Sequence, residues 1–591
     1  MNTPGSDAGP RTLLARTLGV GAVMAALVAA HAAILGGFAL QLAGVRVSAR
    51  SPLAPALIAL SLAVLGAMAA GGRAHAAAVA SWVIHSPASA RLFAAALAVI
   101  ATLTGIASGV DVAGSADASG YVAEARMLAS GRLFREEPLA LATSPPLGGA
   151  VVTPLGFRPV VSQPERQVPT YAPGLPLAMA IAQRAAGTTG PFLMVPLAGG
   201  LLVWLVFVLG RQLGSSSGGL AAAAIVASMP VLLFQLLQPM SDVPVAMAWV
   251  AAVVCGVSGR GLASGLATAL AVMIRPNLAP LALPVACLAF AAGDRRRFAT
   301  RWAAGVAPGV ALVAALHTIW YGAPWRSGYG SAGELFSAAN VVPNVSLYGT
   351  WLIGSAPSAA VLLVAAVAAV LAGGSFVARV IASLGALNIA LYLPYATFES
   401  WHYLRFMLPV LCLMLPVGAA FVARHTRRPA MGAALAVGGL LLVGWQLRIA
   451  DDLEVFRLRA TERRYALAAT WVADHSQPSA VIVTAQQSGN IALNAERSVL
   501  RWDLLQPGTL DAAIDLVQAS GRQAWLLVEA WEQPLLRERH AGRYGTLDWP
   551  PAASISATVP VGLYRPGDRA AFLAGTNIAT SYVTDRAGKV R

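Results

Sequence analysis

Long runs of apolar residues, separated by short polar segments, occupy the first three quarters of the chain. A helix needs about 20 apolar residues to cross the roughly 30 Å of hydrocarbon in a bilayer. Runs of that order lie at approximately 17–43, 53–71, 92–109, 174–210 (one or two crossings), 218–238, 243–258, 261–293 (one or two crossings), 303–321, 355–374, 376–397, 403–423 and 430–447. The pattern predicts a polytopic α-helical membrane protein with about 13 transmembrane helices, to within about two.

The pattern changes after residue 448, where charged residues, Gln and Asn return and the apolar runs shorten. The short runs at 480–485, 524–530 and 556–566 predict β-strands, and 511–519 predicts an amphipathic helix between them. Strands that alternate with a helix are typical of a small α/β domain. The sequence therefore predicts N-terminal transmembrane helices, a transmembrane core with an outer acidic loop, and a soluble C-terminal α/β domain, at 1–90, 91–447 with the loop at 110–173, and 448–591.

Composition agrees with this class, since 57% of the residues are hydrophobic and 11% are charged, against about 25% charged in soluble proteins. The formal net charge of +15 is explained by topology, because Lys and Arg gather in cytoplasmic loops. We therefore expect no nucleic-acid partner. The first apolar run is too long for a cleaved signal, and the three cysteines lie far apart in apolar runs, which indicates neither zinc nor a disulfide.

Two basic clusters set the expected orientation of the second half. The segments 293–302 and 423–429 should be cytoplasmic, and counting crossings from them places the region after residue 448 outside the cytoplasm. Counting from the N-terminus places the loop 110–173 on that same outer side. The number of crossings within 174–293 is either odd or even, so hydropathy alone does not place Asp242, although a half-length or re-entrant segment would settle its side.

Acidic residues stand where the third apolar run ends. Asp111 and Asp117 are six residues apart, and the segment after them predicts a short amphipathic helix along the membrane surface. Helical spacing puts Asp117, Tyr121 and Glu124 on one face, with Ser115 or Asp117 as the N-cap. Taken alone, Asp111 is equally well explained as an interfacial cap.

Further polar residues recur at the ends of later apolar runs. Arginine inside the membrane is costly and by default faces a cavity or a partner, although a structural pair with a helix carboxylate remains open as an alternative. Aromatic residues at the same depth also fit a simple interface belt. The candidates are Tyr171 in YAPGLPL, Asp242 in SDVP, Arg275 and Asn277 in RPN, Arg326 in WYGAPWRSGYG, and His402 and Arg405 in ESWHYLRFMLP.

In this order the motifs resemble those of the GT-C glycosyltransferases, which are integral-membrane enzymes. They are most similar to the bacterial relatives of the dolichyl-phosphate-mannose-dependent mannosyltransferases and to the aminoarabinose transferases. The resemblance covers about residues 90–450. In the commonest plan of this group the acidic loop follows the first crossing, whereas here two predicted helices precede residue 90.

The resemblance implies a sugar donor on a polyprenyl phosphate and transfer with inversion to an acceptor hydroxyl of a glycan, a lipid or a protein. A carboxylate of the outer loop would act as general base. Asp117 fits by its place on the predicted surface helix, and Asp111 fits because the acid of this group often follows the helix end directly. Arg275 and Arg405 would face the lipid phosphate, with Arg326 and His402 behind them. The resemblance implies no cofactor and no metal.

The Ala-rich composition with Arg in place of Lys indicates a GC-rich bacterial genome, hence the plasma membrane with decaprenyl or undecaprenyl phosphate as carrier. Two other classes compete with the enzyme. A transporter or flippase for a lipid-linked sugar would use Arg275 and Asp242 as its path, but the chain shows no repeated halves. A non-catalytic membrane scaffold with the same fold is the other alternative, because fold does not imply function.

Overall fold

The computed structural model of the chain describes residues 10–35, 38–42, 45–49, 51–72, 75, 86–137, 139, 148–160, 162–330, 332–426 and 429–584. Helices make up most of this part. The α-helices are α1 Pro10–Leu35, α2 Leu53–Ala69, α3 Pro87–Ser108, α4 Ala116–Ala129, α5 Gly174–Ala186, α6 Gly190–Gln212, α7 Ser216–Ser228, α8 Pro230–Leu236, α9 Asp242–Val257, α10 Gly261–Ile274, α11 Ala282–Ala286, α12 Arg295–Tyr321, α13 Ala332–Leu335, α14 Val341–Ser355, α15 Pro357–Leu371, α16 Phe376–Tyr392, α17 Leu408–His425, α18 Pro429–Asp452, α19 Leu458–His475, α20 Ser488–Asn490, α21 Leu510–Ala519, α22 Glu532–Arg539 and α23 Pro566–Leu573.

Three sheets accompany these helices. A two-stranded hairpin follows α1, a three-stranded antiparallel sheet of order β3-β5-β4 lies in the outer loop, and a six-stranded sheet of order β11-β9-β10-β8-β6-β7 lies in the C-terminal region. The strands are β1 Phe38–Leu42, β2 Val45–Ala49, β3 Arg135–Glu136, β4 Phe157–Val160, β5 Gln163–Pro169, β6 Val481–Val483, β7 Ser498–Leu500, β8 Ala524–Glu529, β9 Ala553–Ser556, β10 Val561–Tyr564 and β11 Ser581–Thr584.

Among the described residues, 5 helical stretches are long and apolar enough to cross a membrane, or up to 7 if each of two bent pairs is one span. Several other apolar helices are shorter, such as α9 and α10, which have 16 and 14 residues. They fall below the roughly 20 residues of a full span. The expected total of about 13 crossings therefore stays a prediction. The first expected crossing, 17–43, differs from the structure, in which α1 ends at Leu35 and β1 follows.

The apolar run 218–238 forms a bent pair rather than one straight helix. The axes of α7 and α8 differ by 62°, and the bend lies at Met229, whose extended backbone precedes Pro230. Proline disfavours the helical conformation in the residue before it, which explains the break. After α8 the chain reaches Ser241, whose hydroxyl accepts a hydrogen bond from Tyr121 of the outer-loop helix α4. The start of α9, including Asp242, therefore lies beside the outer loop.

The six-stranded sheet of the C-terminal region has helices on both faces. Strand β6 pairs in parallel with β7 and β8, while β10 is antiparallel to β8 and β9. Side chains alternate between the two faces of a strand, so Leu526 and Val528 of β8 join the cluster that contains α21, while Trp525 and Leu527 join the cluster that contains α19. The strands predicted at 480–485 and 524–530 and the helix predicted at 511–519 are confirmed. The helix α19 and the strands β7 and β11 were not predicted.

Outer-loop residues complete one of these two clusters. Leu139, Val151 and Val152 pack with the side chains of α21, β6 and β8. Backbone and side-chain hydrogen bonds join the same regions, including Arg501 N to Val151 O at 2.7 Å and Ser498 Oγ to Glu137 Oε1 at 2.9 Å. The outer loop and the C-terminal region thus share one hydrophobic core and lie at the same end of the molecule.

Helices α10 and α12 pack closely through glycine. A Cβ atom at Gly265 would collide with the backbone carbonyl of Trp302, and Gly305 approaches the same turn of α10. By contrast, nothing lies within 4 Å of the Cβ position of Gly438 in α18. Alanine at Gly265 would therefore disturb close packing, whereas alanine at Gly438 would change only the helix propensity.

We expect Gly265→Ala to lower the stability of the folded protein by about 1–3 kcal/mol, since overpacking displaces the backbone of α12. Gly438→Ala is the matched control and should be neutral or stabilising by up to about 1 kcal/mol, because alanine favours the helix. Thermal unfolding of both variants in the same detergent measures the difference. Equal melting temperatures for the two variants would contradict the close packing of α10 on α12.

Candidate active site

Asp117 lies in the first turn of α4, just after the end of the third apolar run. Ser115 is the N-cap of α4. The Tyr171 hydroxyl donates a hydrogen bond to Asp117 Oδ1 at 2.7 Å, and Arg405 Nη2 donates to Asp117 Oδ2 at 3.2 Å. The Asp117 side chain keeps 35% of its exposure, so this carboxylate is held by two partners and still reaches the surface of a site.

Asp242 and Arg275 form a second ion pair, which is more deeply buried. Arg275 Nη2 lies 2.7 Å from Asp242 Oδ1, and the Asp242 side chain is fully buried. Asp242 stands in the first turn of α9, where the helix dipole favours a negative charge. Arg275 also donates to Ser241 Oγ and to the Tyr392 hydroxyl, each at 3.1 Å. This sharing explains how an arginine is held at the end of the apolar helix α10.

Arg405 connects the two pairs. Its Nε atom lies 3.9 Å from Asp242 Oδ1, while its Nη2 atom bonds Asp117. The guanidinium lies 4.8 Å from the ring centre of Tyr403 and 5.3 Å from that of Phe406, a cation–π arrangement. We refer to Asp117, Asp242, Arg275 and Arg405 as the charge network.

The charge network holds two buried polar atoms without a hydrogen-bond partner in the described part of the chain. They are Arg405 Nε and Asp242 Oδ2. Buried polar atoms are almost always bonded, so each exception calls for an explanation. Arg405 Nε lies 3.9 Å from Asp242 Oδ1, so an N–H and a carboxylate oxygen are both left unbonded where the two ion pairs meet.

Tyrosines line the outer-loop side of the charge network. Tyr121 donates to Ser241 Oγ at 2.9 Å, and the rings of Tyr121 and Tyr171 lie 4.5 Å apart between centres. Tyr329 contacts Tyr171 edge-on at 5.9 Å. Burial raises the pKa of Tyr121 and that of Tyr171 well above the ordinary value of a phenol, and the nearby Asp117 raises the pKa of Tyr171 further. Both phenols therefore stay protonated and act as hydrogen-bond donors.

Two other candidates predicted from the sequence lie at the edge of this site. Asn277 Nδ2 donates to the Tyr392 hydroxyl at 3.3 Å, so it shares that hydroxyl with Arg275. His402 stacks on Phe234 with 5.0 Å between ring centres. The structure thus brings together most of the predicted residues, namely Asp117, Tyr121, Tyr171, Asp242, Arg275, Asn277, His402 and Arg405.

Glu124 does not join the charge network, although helical spacing put it on the face of Asp117. Seven residues along a helix correspond to about 10 Å, so the two acids lie at different levels of α4. Glu124 is fully buried, and neither of its carboxyl oxygens has a hydrogen-bond partner among the described residues. Burial raises the pKa of Glu124 well above its usual range. The expectation that α4 presents this acid at a surface is wrong, since α4 is packed on most of its sides.

Asp111 and Arg326 also lie apart from the charge network. Asp111 Oδ2 accepts from Arg459 Nη2 of α19 at 2.9 Å, and the Asp111 side chain is 51% exposed. Arg326 is exposed in the loop after α12. Tyr392, which ends α16 and binds both Arg275 and Asn277, is not among the residues predicted from the sequence. Ser241 belongs to the SDVP motif but is not itself a predicted site residue.

The helix α19 holds the segment that leads into α4. Arg459 binds Asp111 and the carbonyl of Ala107, Glu462 accepts a hydrogen bond from the backbone N–H of Ser115, and the Tyr465 ring packs directly on Gly114. These contacts come from one face of α19, at spacings of three residues. The C-terminal region therefore fixes where Asp117 stands.

No group of three or more His, Cys, Asp or Glu side chains in the described ranges is arranged to hold a metal ion. The pairs of the charge network are instead acid with base, each within hydrogen-bond or near ion-pair distance. The charged groups that this site presents are carboxylates and guanidinium groups.

Comparison with known proteins shows which folds the chain resembles. The family described as dolichyl-phosphate-mannose-protein mannosyltransferase matches residues 173–320, about a quarter of the chain. The apo crystal structure of ArnT from Cupriavidus metallidurans aligns with a TM-score of 0.51 and 12% identity over 82% of this chain and 98% of that one. The Archaeoglobus fulgidus oligosaccharyltransferase, solved with a tethered acceptor peptide, gives a TM-score of 0.50 and 12% identity over 77% of this chain and 70% of that one.

The chain has the GT-C fold. The resemblance inferred from the sequence motifs is thereby confirmed, and it extends beyond the range 90–450 that the motifs covered. No curated protein sequence matches the chain. At these identities the likeness is one of fold, so the roles of single residues in this GT-C protein rest on its own geometry.

The burial of Glu462 makes the stability of the protein sensitive to pH. Burial, opposed in part by Arg464, raises the pKa of Glu462 to about 7. A carboxyl whose pKa is raised on folding binds its proton more tightly in the folded state, so folding is favoured below the unfolded pKa and loses stability as pH rises through about 7. At about 1.4 kcal/mol per pKa unit, the loss for this group is on the order of 1–3 kcal/mol.

We therefore expect the melting temperature of the wild-type protein to fall between pH 5 and pH 8, and that of Glu462→Gln to fall less. Glutamine can still accept the hydrogen bond from Ser115 but carries no titrating proton. Thermal unfolding across that range measures both slopes. Glu538→Gln, in the exposed part of α22, serves as the control and should keep the wild-type slope; equal slopes for wild type and Glu462→Gln would contradict this account.

Proposed function

We propose that this protein is a glycosyltransferase that moves a sugar from a polyprenyl-phosphate donor to an acceptor hydroxyl at the outer face of the membrane, with inversion at the anomeric carbon. The observation that carries the proposal is the position of Arg405, which bonds the partly exposed Asp117 at 3.2 Å and keeps a buried Nε–H unbonded. A base and a phosphate-binding group are thus held side by side, in a chain with the GT-C fold.

Asp117 is the proposed general base. Its Oδ1 is fixed by the Tyr171 hydroxyl, which orients the carboxylate, and its Oδ2 is held only by Arg405. When a donor phosphate takes the guanidinium of Arg405, Oδ2 becomes free to accept the proton of an acceptor hydroxyl. A positioned base of this kind contributes about 10²–10⁴-fold to the rate.

The bonds balance as a single displacement. The acceptor oxygen gives its proton to Asp117 and forms a bond to the anomeric carbon, while the bond from that carbon to the phosphate oxygen breaks. The polyprenyl phosphate leaves with one more negative charge than it had as a diester, and Asp117 loses one negative charge. Arg405 would lie between Asp117, which loses a negative charge, and the phosphate, which gains one. Its guanidinium can therefore shift its hydrogen bonds from Asp117 to the phosphate and remain in the charge network.

Arg275 and Asp242 form the fixed part of the phosphate site. Because Arg275 is already bonded to Asp242, Ser241 and Tyr392, it holds its place while Arg405 changes partner. Guanidinium groups bind phosphate with paired N–H bonds, which suits a lipid phosphate at the membrane surface. Asn277, His402 and Tyr121 line the same site, where they would contact donor or acceptor.

The setting proposed for this reaction is the bacterial plasma membrane, with a polyprenyl-phosphate sugar as donor, a glycan, lipid or protein as acceptor, and no cofactor. The C-terminal region would lie outside the cytoplasm, since it packs on the outer loop that carries Asp117. The competing base is Asp111, which faces Arg459 rather than the charge network.

Substitution of the two acids tests the base. In membranes supplied with radiolabelled polyprenyl-phosphate sugars, Asp117→Asn should reduce sugar transfer by about 10²-fold or more, whereas Asp111→Asn should keep activity within a few-fold of wild type. Protein levels are compared by immunoblot. Loss of transfer in Asp111→Asn alone would make Asp111 the base, and transfer indifferent to both changes, or none from any donor, would refute the enzyme in favour of a transporter or scaffold.

Substitution of Arg405 tests the phosphate site. Arg405→Lys keeps the positive charge and removes the paired N–H bonds, so we expect kcat/KM for the donor to fall by about 10²–10³-fold, the cost of one oriented charge-stabilising donor. Arg301→Lys, at the other end of the molecule, is the matched control and should behave as wild type. A wild-type kcat/KM for Arg405→Lys would show that the donor phosphate is bound elsewhere.

A further inference from the structure

A second site candidate lies on the opposite side of α4 from the charge network. It is a cavity of about 720 Å³ formed by the C-terminal half of α4, the three-stranded sheet of the outer loop and the turn around 489–496. Cavities of roughly 300–1,000 Å³ are those that bind small organic ligands. Its lining includes none of the four residues of the charge network, so its chemistry is separate from that described above.

Arginine gives this cavity its character. Arg126, Arg132, Arg135 and Arg166 line it, against Glu136 and Glu496. Of the four arginines, Arg135 pairs with a carboxylate, Glu137, while the other three have no ion pair within the described ranges. Three guanidinium groups without an ion pair, against two lining carboxylates, leave a net positive charge around the cavity, which favours a ligand with negative charge.

The hydrogen-bond donors of these arginines are only partly used. Arg126 gives one N–H to the carbonyl of Leu493 at 2.6 Å, and Arg132 gives Nε–H to Ser130 Oγ at 3.0 Å. Arg166 lies over the ring of Phe134, with its guanidinium carbon 5.4 Å from the ring centre. Each guanidinium carries five N–H donors, so several remain for carboxylate or phosphate oxygens.

The remaining walls are apolar and aromatic, and they fit a sugar better than a lipid headgroup. Phe134, Phe157, Met127 and Leu155 line the cavity, and apolar walls with a few charged donors suit rings that present C–H faces and acidic substituents. No lining residue belongs to the helices that are long and apolar enough to span a membrane. The cavity is therefore formed by the outer loop and the C-terminal region.

The distance from Asp117 indicates the size of the ligand. Asp117 and Arg126 lie on the same helix, about 13 Å apart along its axis. A ligand with one hydroxyl at Asp117 and an acidic group at the cavity must therefore span several sugar units.

We propose that this arginine cavity binds the acceptor, and that the acceptor is an oligosaccharide or polysaccharide bearing carboxylate or phosphate groups. This proposal rests on the proposed function, because it names the acceptor of the same reaction. The acidic groups lie against Arg132 and Arg166, the sugar rings lie on the aromatic wall, and the rest of the chain passes around α4 to the charge network.

Direct binding tests the proposal without any transfer reaction. The probe is tetragalacturonate, added to the purified full-length protein at low salt and followed by isothermal titration calorimetry, with neutral maltotetraose as the uncharged comparison. We expect tetragalacturonate to bind with a Kd of about 1 mM or below and maltotetraose to bind at least about ten-fold more weakly. Added salt should weaken the binding of tetragalacturonate, because the partly exposed arginines are screened.

Variants locate the binding. The double variant Arg132→Ala/Arg166→Ala should weaken binding of tetragalacturonate by about ten-fold or more, while Arg158→Ala should not. Arg158 is exposed on β4 of the same sheet and does not line the cavity, so it shows the effect of losing one positive charge close to the cavity but outside it. Unchanged thermal unfolding of the double variant shows that the fold is kept.

Three results would overturn the proposal. They are no binding of tetragalacturonate to the wild-type protein, equal binding of maltotetraose, or equal affinity in the double variant and Arg158→Ala. Nanodiscs rich in phosphatidylglycerol that displace tetragalacturonate would show that the cavity takes a lipid headgroup and would also overturn it. Because no donor is present, these results are independent of whether Asp117→Asn abolishes transfer.

Discussion

The ion pairs of Arg405 are the interaction on which the site depends. They join the start of α17 to the outer loop through Asp117 and to the buried end of α9 through Asp242. Removing a charge from water costs several kcal/mol, so Arg405 is stable here only because two carboxylates face it. The short helices α9 and α10 contribute to the same network, since Asp242 lies at the start of α9 and Arg275 directly follows α10.

Charged residues in the site could be predicted because they stand out against an apolar background. Asp117, Asp242, Arg275 and Arg405 each interrupt or end a hydrophobic run, and a charge at such a place needs a partner. Tyr392 and Tyr329 could not be predicted in the same way, because tyrosine at a helix end is equally typical of a membrane-interface belt. Which candidates meet is a matter of tertiary packing, as the separation of Asp111 from the charge network shows.

Secondary structure was predictable where the apolar residues follow one clear pattern, either a short continuous run or the repeat of an amphipathic helix. The apolar strands β6 and β8 and the amphipathic helix α21 came from such patterns. The small sheet of the outer loop did not, because β5 reads QPERQVP, with two prolines and mostly polar residues. The number of crossings could not be counted either, since several apolar helices end before they reach the length of a full span, and the apolar run 218–238 is bent at Met229, before Pro230.

The core shared by the outer loop and the C-terminal region has a consequence for the order in which the protein is made. Leu139, Val151 and Val152 are synthesised some 300 residues before α21, β6 and β8, which cover them. The helix α19, which contacts the start of α4, is synthesised only after the last membrane helix is complete. Synthesis runs from the N-terminus. The loop with Asp117 therefore lacks its packing partners until the final quarter of the chain has reached the same side of the membrane. The site is complete only when this C-terminal region has folded against the loop.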